Sequence, residues 1–422
     1  MDETLRAGLP QPFVVEQIGG ARRPMRVAVV TETFPPEVNG VAVTIARFVD
    51  GLRESGHEIQ LVRPRQGDAV APEAAPEFRE LLTGGVAIPR YPNLRMGLPA
   101  RRSLERLWAR HRPDVVHIVT EGPLGWSALR VAHKLRLPAV SDFRTNFHAY
   151  SRHYGVGWLR RPILAYLRKF HNATLCTMVP TEALRRELDA LGFRALRVVA
   201  RGVDTRLFDP ARRSDELRRR WASDGRGPVL LYVGRLAHEK NLADLARAYE
   251  ASRRSAPGAR LVVVGDGPAR EWLRARCPDA VFAGVRRDHD LAACYASADI
   301  FLFPSLTETF GNVTLEALAS GLAVVAYDYA AAASVVVHGR SGALAPFGDA
   351  LAFAETAARV AADPALVRTM GTAARLAVAP VAWERVVRQL EAILFAASQA
   401  GDGAIRGYGR ARPAPAEHVA RG

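Results

Sequence analysis

Ile300-Phe301-Leu302-Phe303-Pro304-Ser305-Leu306-Thr307-Glu308-Thr309-Phe310-Gly311-Asn312-Val313-Thr314-Leu315-Glu316 reads as an apolar strand, a loop opening at a proline, and the start of a helical run that reaches Ser320. A strand that turns into a helix presents the helix's unpaired amides, here near Gly311 to Thr314, at the carboxyl edge of a sheet, where anions bind. Gly311 lets the backbone approach a ligand closely. Glu308, in the loop, is placed to accept hydrogen bonds from sugar hydroxyls, and Glu316, eight residues on, to accept from a ribose. Taken alone, the two acids read equally well as a solvated loop residue and an ordinary first-turn helix acid.

The rest of the chain repeats the strand-then-helix order. Met25 to Thr31, Ile59 to Val62 and Asp114 to Val119 read as strands, and Val41 to Glu54 and Leu124 to Leu135 as helices. The pattern restarts with strands at Pro228 to Val233, Arg260 to Val264, Ala280 to Ala283, Ile300 to Phe303 and Leu322 to Ala326. Such alternation implies parallel sheets with helices on both faces. The expected fold is therefore α/β, with two Rossmann-like doubly wound parallel-sheet domains facing each other across a cleft. At 422 residues and 49% hydrophobic, the chain is ample for two cores. The expected boundaries are 25–203 and 204–382, then a helix over 383–398 with Val386, Val387, Leu390, Ile393 and Leu394 at helical spacing. The tails, 1–24 and 399–422, are expected to be disordered.

A dinucleotide-binding dehydrogenase is the competing reading of such a chain. Its G-x-G-x-x-G turn is not completed: Gly265-Asp266-Gly267 follows a strand, but Arg270 stands where the third glycine belongs. The loop Thr31 to Gly40 holds a single glycine. Hydride chemistry is not expected.

Pro304 to Glu308 with Glu316-Ala317-Leu318-Ala319-Ser320-Gly321 resembles the donor signature of the retaining GT-B glycosyltransferases of the large family four. Val233-Gly234-Arg235-Leu236 with Glu239-Lys240-Asn241-Leu242 resembles the same family's phosphate-binding segment. Arg201-Gly202-Val203-Asp204 followed by Phe208 resembles its interdomain crossing, and Leu261 to Pro268 its strand-turn-helix. The resemblance implies that Arg235 and Lys240 neutralise a nucleotide diphosphate. It also implies that Gly40, Val285, Glu308, Gly311, Asn312, Val313, Thr314, Leu315 and Glu316 line the donor site. Physics supports the two cations independently, because transfer loads negative charge onto the leaving phosphate.

On the acceptor side, Asn39 precedes a helix N-terminus in a loop that closes over the reaction centre in the resembling family. His117 and Glu121 lie in Val116 to Gly125, a strand-end segment that family members place beside the transferred sugar; His117 reads equally as a core histidine, given its apolar neighbours. Ser141 to Gly155 resembles a subgroup that transfers mannose or related sugars to lipid-linked acceptors. That subgroup often has His where this chain has Arg144, which cannot accept a proton at neutral pH and instead suits an acceptor phosphate or carboxylate. His148 is the nearby compensating candidate. The catalytic set expected is His117, Glu308, Arg235 and Lys240, with Asn39, Glu121, Arg144 and His148 on the acceptor.

The resemblance implies front-face substitution, with mannose passing from GDP-mannose to a lipid or polyprenyl-linked glycan and no metal or other cofactor required. A UDP-sugar-dependent glycolipid transferase is the alternative within the class. A catalytically silent GT-B binding subunit and a paired-carboxylate hydrolase are the alternatives outside it.

The net charge of +15 calls for an anionic membrane surface, nucleic acid, or an arginine-rich proteome. No nucleic-acid-binding signature accompanies it. The basic, aromatic and aliphatic stretch Arg152 to Phe170 suits an interfacial helix, and Arg101 to Arg112 is a second basic stretch. There is no apolar run of about 18 residues and no signal-peptide core, so the expected place is the cytoplasm, peripheral on the inner face of the cell membrane. Cys176, Cys277 and Cys294 lack metal-ligand spacing and read as buried free thiols.

Overall fold

The computed structural model describes residues 23–37, 40–66, 74–88, 91–144, 160–221, 227–308 and 310–400. These fall into two compact units. One groups Gln17–Arg144, Ser151–Val199 and the chain from Val387 onward; Ala200–Val386 makes up nearly all of the other.

The first unit contains β1 (Arg26–Val30), β2 (Glu58–Pro64), β3 (Ala74–Ala75), β4 (Phe78–Thr83), β5 (Gly85–Ile88), β6 (Tyr91–Gly97), β7 (Val115–Ile118), β8 (Ala139–Asp142), β9 (Thr177–Val179) and β10 (Leu196–Val198). Eight of them form one sheet in the order β10-β9-β8-β7-β1-β2-β4-β3, while β5 and β6 pair as a separate hairpin. Every pairing in the large sheet is parallel except β3 with β4. The centre is buried on both faces, with Val27, Val30, Val115 and Val116 fully enclosed. That is why β1, from Val27 to Val30, reads as an unbroken apolar run instead of alternating, and why β7 is apolar but for His117.

The second unit contains β11 (Val229–Val233), β12 (Arg260–Val264), β13 (Val281–Gly284), β14 (Ile300–Phe303), β15 (Ala323–Tyr327) and β16 (Gly342–Ala345), all parallel, in the order β13-β12-β11-β14-β15-β16. Counted from β11 this is 3-2-1-4-5-6, the doubly wound order. The direction of winding reverses between β11 and β14. In the first unit it reverses between β1 and β7. Ligands of such sheets bind outside the carboxyl ends of the strands at these reversal points, because the loops there diverge and leave a crevice.

The last helix, Trp383–Gln399, buries Leu390 and Leu394 completely. Its Gln389 Nε2 donates to the Val198 carbonyl at 2.8 Å, and Glu391 lies 3.4 Å from the buried ring of His57. Of the expected tails, residues 1–22 and 401–422 lie outside the described residues.

Candidate functional site

In the second unit, the loops after β11 and β14 meet at the reversal point. Lys240 closes a short 3-10 turn, His238–Lys240, and its Nζ lies 2.5 Å from Glu308 Oε1 on the loop after β14. Both side chains are mostly enclosed, at 19% and 16% exposed. Ser305 Oγ donates to the same Glu308 oxygen at 2.8 Å, and Tyr329 OH donates to the Glu308 carbonyl at 3.2 Å. Thr307 Oγ1 donates to Glu239 O at 3.0 Å, and Asn241 Nδ2 to Pro304 O at 3.3 Å, so the two loops are laced together by side chains. Arg235 is exposed and pairs with Glu239.

A third loop, 265–269, braces this pair. Leu236 N donates to Asp266 O at 2.9 Å, and Ala269 N to Leu236 O at 2.9 Å. A Cβ on Gly265 would overlap the Gly234 carbonyl, and one on Gly267 the Leu236 carbonyl. The Gly-x-Gly that raised the dehydrogenase question is thus needed for loop-on-loop packing.

Gly311 precedes the helix Asn312–Ala319 with φ at +90°, a conformation that favours glycine. Among the described residues no side-chain oxygen accepts from the amides of that helix's first turn. Asn312 Oδ1 is buried and has no partner among them either. Thr314 and Leu315 point into the core, at 1% and 0% exposed, and Thr314 N–H already donates to the Gly311 carbonyl at 3.0 Å, so the amides at the very start of the helix, Asn312 and Val313, are the ones turned to a ligand. Glu316 accepts from Tyr295 OH at 2.9 Å, and burial pushes its carboxyl up to about 7 against the opposing effect of that hydrogen bond. Val285, just past β13, is 61% exposed.

In the first unit, the reversal point is filled from within. Glu32, after β1, accepts from Leu124 N at 3.1 Å and so caps the helix Pro123–Lys134; its own N–H donates to Thr120 Oγ1 at 3.0 Å. Burial raises the Glu32 carboxyl to about 7, although backbone hydrogen bonds from Leu124 and Gly97 oppose the shift. Glu121 adjoins this cap, with its carbonyl accepting from Tyr166 OH at 2.6 Å. Gly40 begins the helix Gly40–Glu54 and accepts from Thr44 Oγ1 at 2.7 Å.

His117 lies wholly inside the sheet, its Nε2 2.8 Å from Asp142 Oδ2, both side chains at 0% exposure. Arg144 Nε stands 3.2 Å from the other carboxylate oxygen, and the guanidinium rests 5.0 Å above the Phe48 ring. Burial works to raise the Asp142 carboxyl, but the Arg144 charge and the His117 bond outweigh it and hold the group below the usual range. His117 Nδ1 and both Nη atoms of Arg144 have no hydrogen-bond partner among the described residues. His117 and Arg144, read separately in the sequence, are therefore one buried ionic group joined through Asp142. Asn39 and His148 lie outside the described residues, as do 152–159 of the interfacial stretch.

Sequence reasoning gave no role to Asp142, Ser305, Tyr295 or Tyr329. Asp142 carried a signal: two residues before Arg144 at a strand end, it faces the same side of the sheet. Tyr295, 21 residues from Glu316, carried none.

Residues 38–207 match the family described as Glycosyltransferase Family 4, and residues 227–363 the one described as Glycosyl transferases group 1. A GDP-mannose-dependent alpha-mannosyltransferase of Mycobacterium tuberculosis is 37% identical over 336 residues, which is 77% of this chain and 85% of that protein. A sulfoquinovosyl transferase of Arabidopsis thaliana is 33% identical over 311 residues, 72% of this chain and 60% of that protein. Among solved structures, a sucrose-phosphate synthase from Thermosynechococcus elongatus superposes with a TM-score of 0.68 at 22% identity, covering 88% of this chain and all of that one.

Proposed function

The chain belongs to glycosyltransferase family 4, with the GT-B fold, and from that premise we propose that it transfers mannose, with retention, from GDP-mannose to a lipid or polyprenyl-linked glycan. The observation that carries this reading is the Lys240–Glu308 pair at the β11/β14 reversal point, beside a helix N-terminus. A cation, first-turn amides and acceptor carboxylates are what a sugar diphosphate requires.

In this reading Arg235 and Lys240 take the diphosphate together with the amides of Asn312 and Val313, Thr314 and Leu315 shape the floor behind them, Glu308 holds the sugar hydroxyls, and Glu316 the ribose. Val285 lies beside the base. As the bond from the anomeric carbon to the phosphate breaks, an acceptor oxygen attacks the same face and its proton passes to the departing phosphate. Arg235 and Lys240 offset the charge that accumulates there, so the scheme calls for no metal. Glu121 and the His117–Asp142–Arg144 group serve the acceptor, with Arg144 suited to an acidic substituent.

Among the described residues no helix is long and apolar enough to cross a membrane. The helix Arg160–His171 buries Leu167 and Phe170 while exposing Ile163 and Tyr166 beside Arg161, Arg168 and Lys169. That combination supports peripheral contact with an anionic lipid surface on the cytoplasmic side.

The test is thermal unfolding with GDP, UDP or neither, followed by transfer assays with the matching sugar nucleotides. A specific nucleotide at 100 times its dissociation constant adds about 2.7 kcal/mol. Stabilisation by GDP supports the mannosyl reading, stabilisation by UDP alone moves the donor to a UDP-sugar, and no response to either overturns the enzyme reading.

A further inference from the structure

Glu316 comes from the helix Asn312–Ala319, but what holds its carboxylate comes from another element. Tyr295, near the end of the helix Asp288–Ala296, donates its hydroxyl to Glu316 Oε2 at 2.9 Å. The Tyr295 ring is fully buried, edge-on to Phe208 at 5.6 Å and tilted over Phe301 at 5.8 Å. Two aromatic contacts on different segments leave the phenol one orientation, and its hydroxyl points at one oxygen of the carboxylate.

We infer that Tyr295 is a positioning residue for donor capture: it fixes the Glu316 carboxylate in place and keeps it an acceptor for the vicinal ribose hydroxyls of the nucleotide. This rests on the reading of Glu316 as the ribose ligand. A vicinal diol needs a carboxylate with free lone pairs on a fixed oxygen; a protonated carboxyl offers fewer and can rotate to donate instead. A phenol that donates to Oε2 stabilises the ionised form and leaves Oε1 free to face the diol.

Other charged or titratable groups on the elements packed around this helix are engaged elsewhere. Arg375, from Pro364–Val378, is spent on the Phe208, Ala319 and Thr205 carbonyls and on Asp209, and Tyr327 of β15 donates to Asp244 at 2.7 Å. The helix Ala330–Val335 carries no titratable side chain, and Asp288, His289 and Asp290 stand at the opposite end of Tyr295's own helix. Cys294, its neighbour there, is buried, and burial holds its thiol up at about 11.

The experiment is calorimetric titration of the full chain with GDP across about pH 6 to 9, comparing wild type, Tyr295→Phe and Glu316→Gln. Tyr295→Phe keeps the ring and removes only the donor. It is expected to bind GDP about tenfold more weakly near pH 7, with the deficit narrowing toward pH 9 as Glu316 ionises without help. The deficit is also expected to vanish for 2′,3′-dideoxy-GDP, which has no diol to recognise. Phe208→Leu, which loosens the same ring without touching the hydroxyl, is expected to lower the melting temperature and leave the pH profile unchanged. A Tyr295→Phe protein that binds GDP like wild type at every pH, or that loses the same factor at every pH and equally for the dideoxy nucleotide, overturns the inference. If Glu316→Gln binds GDP with an unaltered affinity and pH profile, it is the ribose reading itself that fails.

Discussion

Lys240 Nζ and Glu308 Oε1 lie 2.5 Å apart although 68 residues separate them, and each is the other's ionic partner. A diphosphate entering here competes with Glu308 for the ammonium, and a sugar competes with Lys240 for the carboxylate. Removing either partner leaves an enclosed charge behind, so the two deletions differ in direction. Lys240→Ala is expected to weaken GDP binding by about 1.5–3 kcal/mol, the range for a charge-assisted hydrogen bond, as read by calorimetry. Glu308→Gln frees Lys240 for phosphate, so GDP is expected to bind at least as tightly while kcat falls about 100-fold or more. Weakened GDP binding in both variants would assign the pair to loop stability instead.

The ionic group of the first unit predicts a different pattern. Asp142→Ala strands a buried guanidinium, at an expected cost of about 3–5 kcal/mol in chemical denaturation. Arg144→Met added to Asp142→Ala is expected to recover much of that loss, because no unpaired charge then remains. A double variant no more stable than the single one would contradict it.

His171, whose Nδ1 meets Ser141 Oγ at 2.9 Å, is held down to about 3 by burial despite the nearby Asp142 charge. The folded state keeps this ring neutral while the unfolded chain protonates it below about pH 6.5, so stability is lost as pH falls from about 6.5 toward 3. Asp142, depressed in the folded state, acts in the same direction at lower pH. His171→Gln is expected to flatten the acid limb of the urea-midpoint profile; an unchanged limb would remove His171 from the account.

Glu32 has the opposite sign. With its folded value raised to about 7, ionisation is disfavoured in the native state, so the group costs stability as pH rises from its ordinary value through 7. Glu32→Gln is expected to gain stability relative to wild type at about pH 8 and to match it near pH 5, as measured by thermal unfolding. A loss at pH 8 would mean that the capping interaction with Leu124 N outweighs the burial term.

Much of this was legible in the chain. Strands such as Arg260–Val264 and Ile300–Phe303 appear where their apolar runs placed them, because parallel strands buried on both faces leave a continuous signature. Thr177–Val179 and Leu196–Val198 went unread, since runs of three residues are too short to carry a period. The hairpin β5–β6 was missed for a related reason, as Val86 and Met96 are exposed and give no core-facing alternation. At the site, Arg235, Lys240, Glu308 and Glu316 stood out through the segments that resemble the family's donor and phosphate-binding signatures; spacing alone left Glu308 and Glu316 equally readable as a loop residue and a first-turn helix acid. Tyr295 and Asp142 act across elements, and a contact made by tertiary packing leaves nothing periodic in the chain. Arg144 read as a lone substitution for histidine; its meaning changed once Asp142 was found against it.

Both units share the same winding, yet they differ at the reversal point. In one, the Glu32 carboxylate already occupies the helix terminus that an incoming phosphate would seek. Among the described residues, then, one unit presents an uncapped helix terminus at its reversal point and the other a filled one, and a titration with nucleotide is expected to saturate at one equivalent.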